Sequence, residues 1–280
     1  MTSPEVFWPY FAMCAAMIGA IAFVRGPDKI AALARATIAI PIATFSAEHF
    51  ASAHSIMNGV PAWMPWHLFW TYFCGAGLLA ASLSLISGVQ LRLSTTLLGI
   101  MLFCFFAMID VPAAIANPGN RFAWTLAGRE SIFGAGAVLL GMSAGGRQRT
   151  QSEQRIGTVL FYWIAIVCVF YGVEHFLHSE CVPAVPLIKK VPLWIPLAHF
   201  WTLLTGVLLV AGGCAMFGNR FARRASAGLG AWVLLLVLSL YVAIMIAQRD
   251  IEGVNYFTDT MMFAGILFSA SLFPQRKRDC

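Results

Sequence analysis

Residues 46–75 read SAEHFASAHSIMNGVPAWMPWHLFWTYFCG, and residues 172–206 read GVEHFLHSECVPAVPLIKKVPLWIPLAHFWTLLTG. Glu48-His49-Phe50 recurs as Glu174-His175-Phe176. Val60-Pro61, Trp63, Pro65, Phe69-Trp70-Thr71 and Gly75 recur as Val191-Pro192, Trp194, Pro196, Phe200-Trp201-Thr202 and Gly206, and Leu78 and Ala80 as Leu209 and Ala211. The first block repeats at an offset of 126 residues and the second at 131, so the second copy holds five extra residues between them. Further on, Phe133-Gly134-Ala135-Gly136 faces Phe263-Ala264-Gly265. Shared apolar bias does not reproduce Trp and His in register, so the chain reads as an internal repeat.

The medium around the repeat follows from composition. Of 280 residues, 60% are hydrophobic and 11% charged, against roughly 25% charged in a soluble domain. Lipid must therefore supply part of the apolar environment, and a span takes about 20 mostly apolar residues. Nine segments qualify: 6–24, 33–52, 67–88, 91–111, 129–145, 156–177, 197–218, 226–247 and 257–274. The first is read as a retained span, because Glu5 precedes it where a signal peptide has a basic region.

The net charge of +6 gives no sign of nucleic-acid binding, because the basic residues sit in short clusters between apolar runs. Of the 18 basic residues, 13 fall in one set of loops: Arg25, Lys29, Arg35, Arg92, Arg147, Arg149, Arg155, Arg220, Arg223, Arg224, Arg276, Lys277 and Arg278. The positive-inside rule puts that set in the cytoplasm of a plasma (inner) membrane, with the N-terminus outside and the C-terminus inside. Cys14, Cys74, Cys104, Cys168, Cys181, Cys214 and Cys280 include no CxxC pair, which removes thiol exchange and zinc ribbons. Most of them read as small hydrophobes inside apolar runs, with Cys181 in a polar loop.

The copies begin four spans apart, so both start on the cytoplasmic side and form parallel repeats about an axis along the membrane normal. The expected fold is all-α: a leading helix in 1–30, a four-helix bundle in 31–146 and a second in 155–280. A Glu-His-Phe helix end, then Pro-x-Trp-x-Pro, Phe-Trp and a Gly-bearing helix, resembles the DoxX-like membrane proteins in tandem form. The resemblance covers both bundles. It implies redox association, since one branch of that family is similar to the membrane subunit of thiosulfate:quinone oxidoreductase. Quinone or haem would then be the cofactor, and the partner a membrane or extracytoplasmic redox protein beside the lipid bilayer. Catalytic residues are not assigned by it.

All six histidines fall near one membrane face, at the ends of spans two and six or the starts of three and seven. Glu48, His49, Glu174, His175, His178 and Asp259 are the candidate ligand-binding residues, and His49 and His175 the candidate metal or haem ligands. A carboxylate near a helix C-terminus opposes the dipole, and desolvation at membrane depth adds to that cost, so Glu48 and Glu174 call for an Arg, a proton or a metal ion. Three readings stand: interfacial hydrogen bonding, a ligand site and a bound metal or haem. Asp110, Glu130 and Asp259 lie on the same side, with Arg121, Arg129 and Arg249 as counter-ions. Glu130 and Asp259 read as helix caps. The two Pro-x-Trp-x-Pro stretches read as first helical turns carrying an aromatic belt. The alternatives to redox association are a small-solute transporter or binding protein, although no Gly/Pro-broken pair of helices marks a midplane site, and a non-catalytic membrane scaffold.

Overall fold

The computed structural model describes residues 3–26, 28–144, 149–218 and 220–273. Arg147, Arg276, Lys277, Arg278 and Cys280 lie outside the described residues. The described chain is all-helical, with no strand and one isolated antiparallel bridge, Cys181 to Lys190. The long helices are α1 Pro4–Phe23, α2 Lys29–Ala51, α3 His67–Ser87, α4 Leu91–Ala116, α5 Arg121–Ser143, α6 Gln151–Leu177, α7 Ala198–Met216, α8 Ala222–Gln248 and α9 Ile251–Leu272.

Local chemistry starts these helices where it does. Asp28 accepts from the backbone N–H of Ile30 and Ala31 at the head of α2. Thr150 and Glu153 form a reciprocal capping box at the head of α6. Asn120 caps α5 through Phe122 N–H, and Asp250 caps α9 through Gly253 N–H. At the far end of α3, Gly88 takes φ +82°, and Arg35 donates to the terminal carbonyls of Leu85 and Ile86.

By length and composition, seven helices can cross a membrane: α1 to α4 and α6 to α8. α5 and α9 are equally long but more polar. They are also the most enclosed, α9 being buried without a break from Phe257 to Ser271. A helix sheathed by other helices need not match lipid on any face, so its hydropathy falls without exposing polar groups.

Helices consecutive in the chain run antiparallel, while α5 and α9 run parallel. Ser46 and Ser82 of α2 and α3 donate to Gly75 and Ala39 carbonyls across that pair. A Cβ on Gly134 would lie 3.1 Å from the Gly99 carbonyl, and one on Gly206 3.1 Å from the Gly172 carbonyl, so α4/α5 and α6/α7 meet backbone to backbone. α9 packs between α2, α5 and α8, and α5 between α4, α6 and α9. At the centre a Cβ on Gly136 would meet Ile266, and one on Gly265 would meet Ile38 and Thr37.

Corresponding parts of the two quoted stretches share local structure. Trp66 and Leu197, 131 residues apart, precede α3 and α7 in the left-handed region, at φ 57° and 55°. The Trp70 indole N–H donates to Pro65 O at 3.0 Å and that of Trp201 to Pro196 O at 3.1 Å. These prolines lie before the helix, not in its first turn as the sequence suggests. The αL residue reverses the chain, and the indole clamps the turn. α4 and α8 are each interrupted by a π turn at the same offset, Phe106–Asp110 and Val237–Tyr241. Paired helix breaks therefore exist: Pro112 lies two residues past the first, while no Gly or Pro announces the second.

Candidate functional site

α2 and α6 end, and α3 and α7 begin, at one end of the bundle, which gathers all six histidines. The polar site lies inward of that end. Arg129 and Asp259 are each eight residues into their helices, about 12 Å along the axis at 1.5 Å per residue. The expectation that Glu130 and Asp259 cap helices fails here. The helices start at Arg121 and Ile251, because the polar turns that hydropathy excludes are helical and buried against neighbouring helices. Asn120 and Asp250 are the caps.

Arg129 Nη1 donates to Asp259 Oδ2 at 2.7 Å and Nη2 to Glu130 Oε1 at 2.8 Å. Arg129 and Asp259 occupy corresponding positions of the two halves, at the offset of 130 that relates Phe133 to Phe263. The pair therefore joins the halves at their centre. Glu48 of α2 lies within electrostatic reach of Asp259, Asn255 and Arg129. Asp110, the last residue of the α4 π turn, lies within reach of Glu130 and Arg129. Four carboxyl groups thus surround one guanidinium. Among the described residues, Glu48 Oε1, Asp110 Oδ2, Glu130 Oε2, Asn255 Oδ1 and Arg129 Nε are buried with no hydrogen-bond partner in the protein. Gln248 Oε1 is also unpaired, at the end of α8 beside Gly253.

The second Glu-His end has a different setting. Arg121 Nε donates to Glu174 Oε2 at 2.6 Å, and its Nη2 donates to the Pro186 and Leu187 carbonyls at 2.8 and 3.1 Å. His175 is 1% exposed. Its Nδ1–H donates to Tyr171 O, and its Nε2 accepts from Ala184 N–H at 2.9 Å. Both ring nitrogens are engaged, which leaves neither for a metal. The loop supplying these partners is folded inward. Every residue from Cys181 to Leu187 is buried, Tyr241 OH donates to Pro183 O, and Lys189 N–H donates to Tyr256 OH at 3.0 Å. Cys181 is therefore buried, with Arg121, Glu180 and Lys190 still within electrostatic reach of its thiol. Burial pushes its thiol up from the ordinary range.

His49 Nδ1–H donates to Phe45 O at 2.7 Å. Its Cβ packs against Gly75, where an added Cβ would come within 2.8 Å. Glu48 turns toward α9 while His49 turns toward α3, as neighbours about 100° apart on a helix must. His178 does not share a face with His175: α6 ends at Leu177, and His178 Nδ1 sits 3.7 Å from Glu180 at the rim. The structure thus brings Glu48 and Asp259 together, and sets Glu174, His175 and His178 in a separate cluster. Among the described residues no three His, Cys, Asp or Glu side chains converge as metal ligands.

Sequence reasoning placed Arg129 only among counter-ions and did not single out Asn255. The register of Arg129 on Asp259 between the copies was the available signal. No family model, no curated protein and no solved structure matches this chain.

Proposed function

We propose that this chain is a duplicated, DoxX-like plasma-membrane protein of nine spans, with its N-terminus outside, that binds and conducts a small polar solute at the Arg129 cluster. The paired αL entries, the paired π turns and the equivalent contacts of Gly75 with His49 Cβ and of Gly206 with His175 Cβ support the duplication. α5 and α9 supply the two additional spans, sheathed by the rest. The positive-inside count supports the orientation.

One observation carries the functional reading: polar atoms from α2, α4, α5 and α9 are buried around Arg129 without partners in the protein. Each such atom costs roughly 1–3 kcal/mol. Stability alone would replace them with apolar groups, so they are retained for contact with something outside the fold. The adjacent π turn, which re-aims backbone in α4 next to Asp110, suits a helix that shifts as solute passes. Purified protein in sealed vesicles should accumulate a polar solute, and Glu48→Gln should lower the rate roughly tenfold, about 1.4 kcal/mol, while leaving the protein folded. Vesicles that match protein-free controls for every solute class would end the transport reading.

Redox association is the second reading. A cleft of about 790 Å³ between α1, α2 and α3 is lined by Trp8, Phe11, Phe23 and Phe50, with little polar surface. Its size is that of a cofactor site, and its walls suit a quinone ring. Solvent extraction of purified protein should then yield quinone in fixed proportion, and a quinone-free extract removes this reading.

A further inference from the structure

Resting on the solute-site reading above, we infer that the ligand is an organic cation bearing N–H groups, an alkylammonium or diamine, held between Glu48 and Asp110 on the first half of the molecule. Three arguments lead there.

The first is charge. Arg129 spends Nη1 on Asp259 and Nη2 on Glu130. Glu48 and Asp110 face the same guanidinium from two other helices and have no cation of their own. The corresponding positions in the second half are closed within the protein: Glu174 by Arg121 and Tyr241 by Pro183 O. At these corresponding positions, carboxyl groups without a cation of their own therefore occur only in the first half.

The second is hydrogen-bond type. The unpaired atoms around Arg129 are three carboxylate oxygens, one amide oxygen and one guanidinium N–H. The three carboxylate oxygens accept whichever way the Asn255 amide is turned. A ligand completing this set must donate several hydrogen bonds, and carboxyl groups without a cation favour a cationic N–H donor over a neutral O–H one. An anion would meet a single free donor, and a quaternary ammonium would offer none. Two members of the set, Asn255 and Arg129, are not acidic, so carboxylate crowding alone does not account for it.

The third is spacing. The carboxyl groups come from α2, α4, α5 and α9 and do not converge as metal ligands. A bare divalent ion needs oxygens at about 2.0–2.6 Å. A larger cation, with donors spread along its length, can meet carboxyl groups carried on different helices.

The test uses the full chain in lipid nanodiscs, with binding read by calorimetry and by thermal shift. Ethylammonium and diaminobutane should bind and raise the unfolding temperature, while butanediol, acetate and tetramethylammonium should not. Glu48→Gln and Asp110→Asn should each weaken the amine roughly tenfold. Lys189→Met, whose ammonium lies 3.3 Å from Glu252 at the other loop, should leave affinity unchanged. If butanediol or acetate binds and Glu48→Gln abolishes it, the solute site stands and the cation assignment falls. Equal binding of tetramethylammonium overturns the N–H requirement. A pH-dependent shift with no added effect of amine makes the site a proton site and overturns the proposal. If no solute of any charge binds, the solute-site reading falls with it.

Discussion

Glu48 and Glu174 stand at the same place in two Glu-His-Phe helix ends, and each is followed by a histidine bonded to the carbonyl four residues back. Beyond that the ends part. Glu174 has Arg121, and its histidine has the Ala184 N–H. Glu48 has neither an arginine bonded to it nor a loop folded over it. The loop after α2 keeps His54, Ser55, Asn58, Trp63 and Trp66 at the surface, while the longer loop after α6 buries Cys181 to Leu187. Five added residues let the second loop reach back into the bundle, and Arg121 ties it there through two carbonyls. On the proposed duplication the two ends began alike, and the difference is that Glu174 is now satisfied within the protein while Glu48 Oε1 is not.

The strongest way to break this comparison is at the centre, where the halves meet. Arg129→Met leaves Asp259 and Glu130 buried without a cation and should cost about 3–5 kcal/mol, read as a lowered unfolding temperature in detergent. Arg129→Met with Asp259→Met should recover part of that loss, because Asp259 is then no longer stranded and only Glu130 remains without its cation. If the single change is no worse than a surface substitution, the halves are not joined through this pair.

Next in size is the contrast between the ends themselves. Glu174→Gln strips Arg121 of its charged partner and should destabilise by roughly 1–3 kcal/mol. Glu48→Gln removes a buried charge bonded to no cation and should leave stability unchanged or raise it. Thermal unfolding of both variants in the same lipid decides. Equal losses would mean that the two ends are alike after all.

The sequence made much of this legible, for a physical reason. Lipid requires long apolar runs, so the starts of α3 and α4 and the end of α6 show plainly, and copied Trp and His mark the repeat. What escaped was whatever is compensated inside the protein. α5 and α9 begin eight and six residues before the segments chosen on hydropathy, since Arg121 and Asn255 read as loop when judged one residue at a time. The Arg129–Asp259 pair spans 130 residues and leaves no local pattern. The π turn of α8 has no Gly or Pro signature, and that of α4 has Pro112 two residues past it but no counterpart in the second half. Lys189 and Lys190 made the second loop look solvated, while the Val and Leu residues before them are tucked in.

The smallest effect sharpens the loop contrast through pH. Glu180 sits in the second loop where the first has His54. Its carboxylate is held below the ordinary range first by a hydrogen bond from its own backbone N–H, with His178, Lys190 and Arg121 adding attraction. Its carbonyl accepts from Val191 N–H at 2.9 Å, so the residue also closes the loop. A carboxyl group whose folded pKa is depressed adds stability above its unfolded pKa and loses it as pH falls through the folded value. Protease sensitivity of residues 178–197 should therefore rise as pH drops below the ordinary carboxylate range, and Glu180→Gln should flatten that rise. Because the group is exposed, solvent screening keeps the change small. The loop after α2, with His54 at that place, should show no such step. A Glu180→Gln protein with the same acid limb as the parent would place the anchoring of this loop in Arg121 and His175 alone, and the two halves would then differ by burial and not by rim charge.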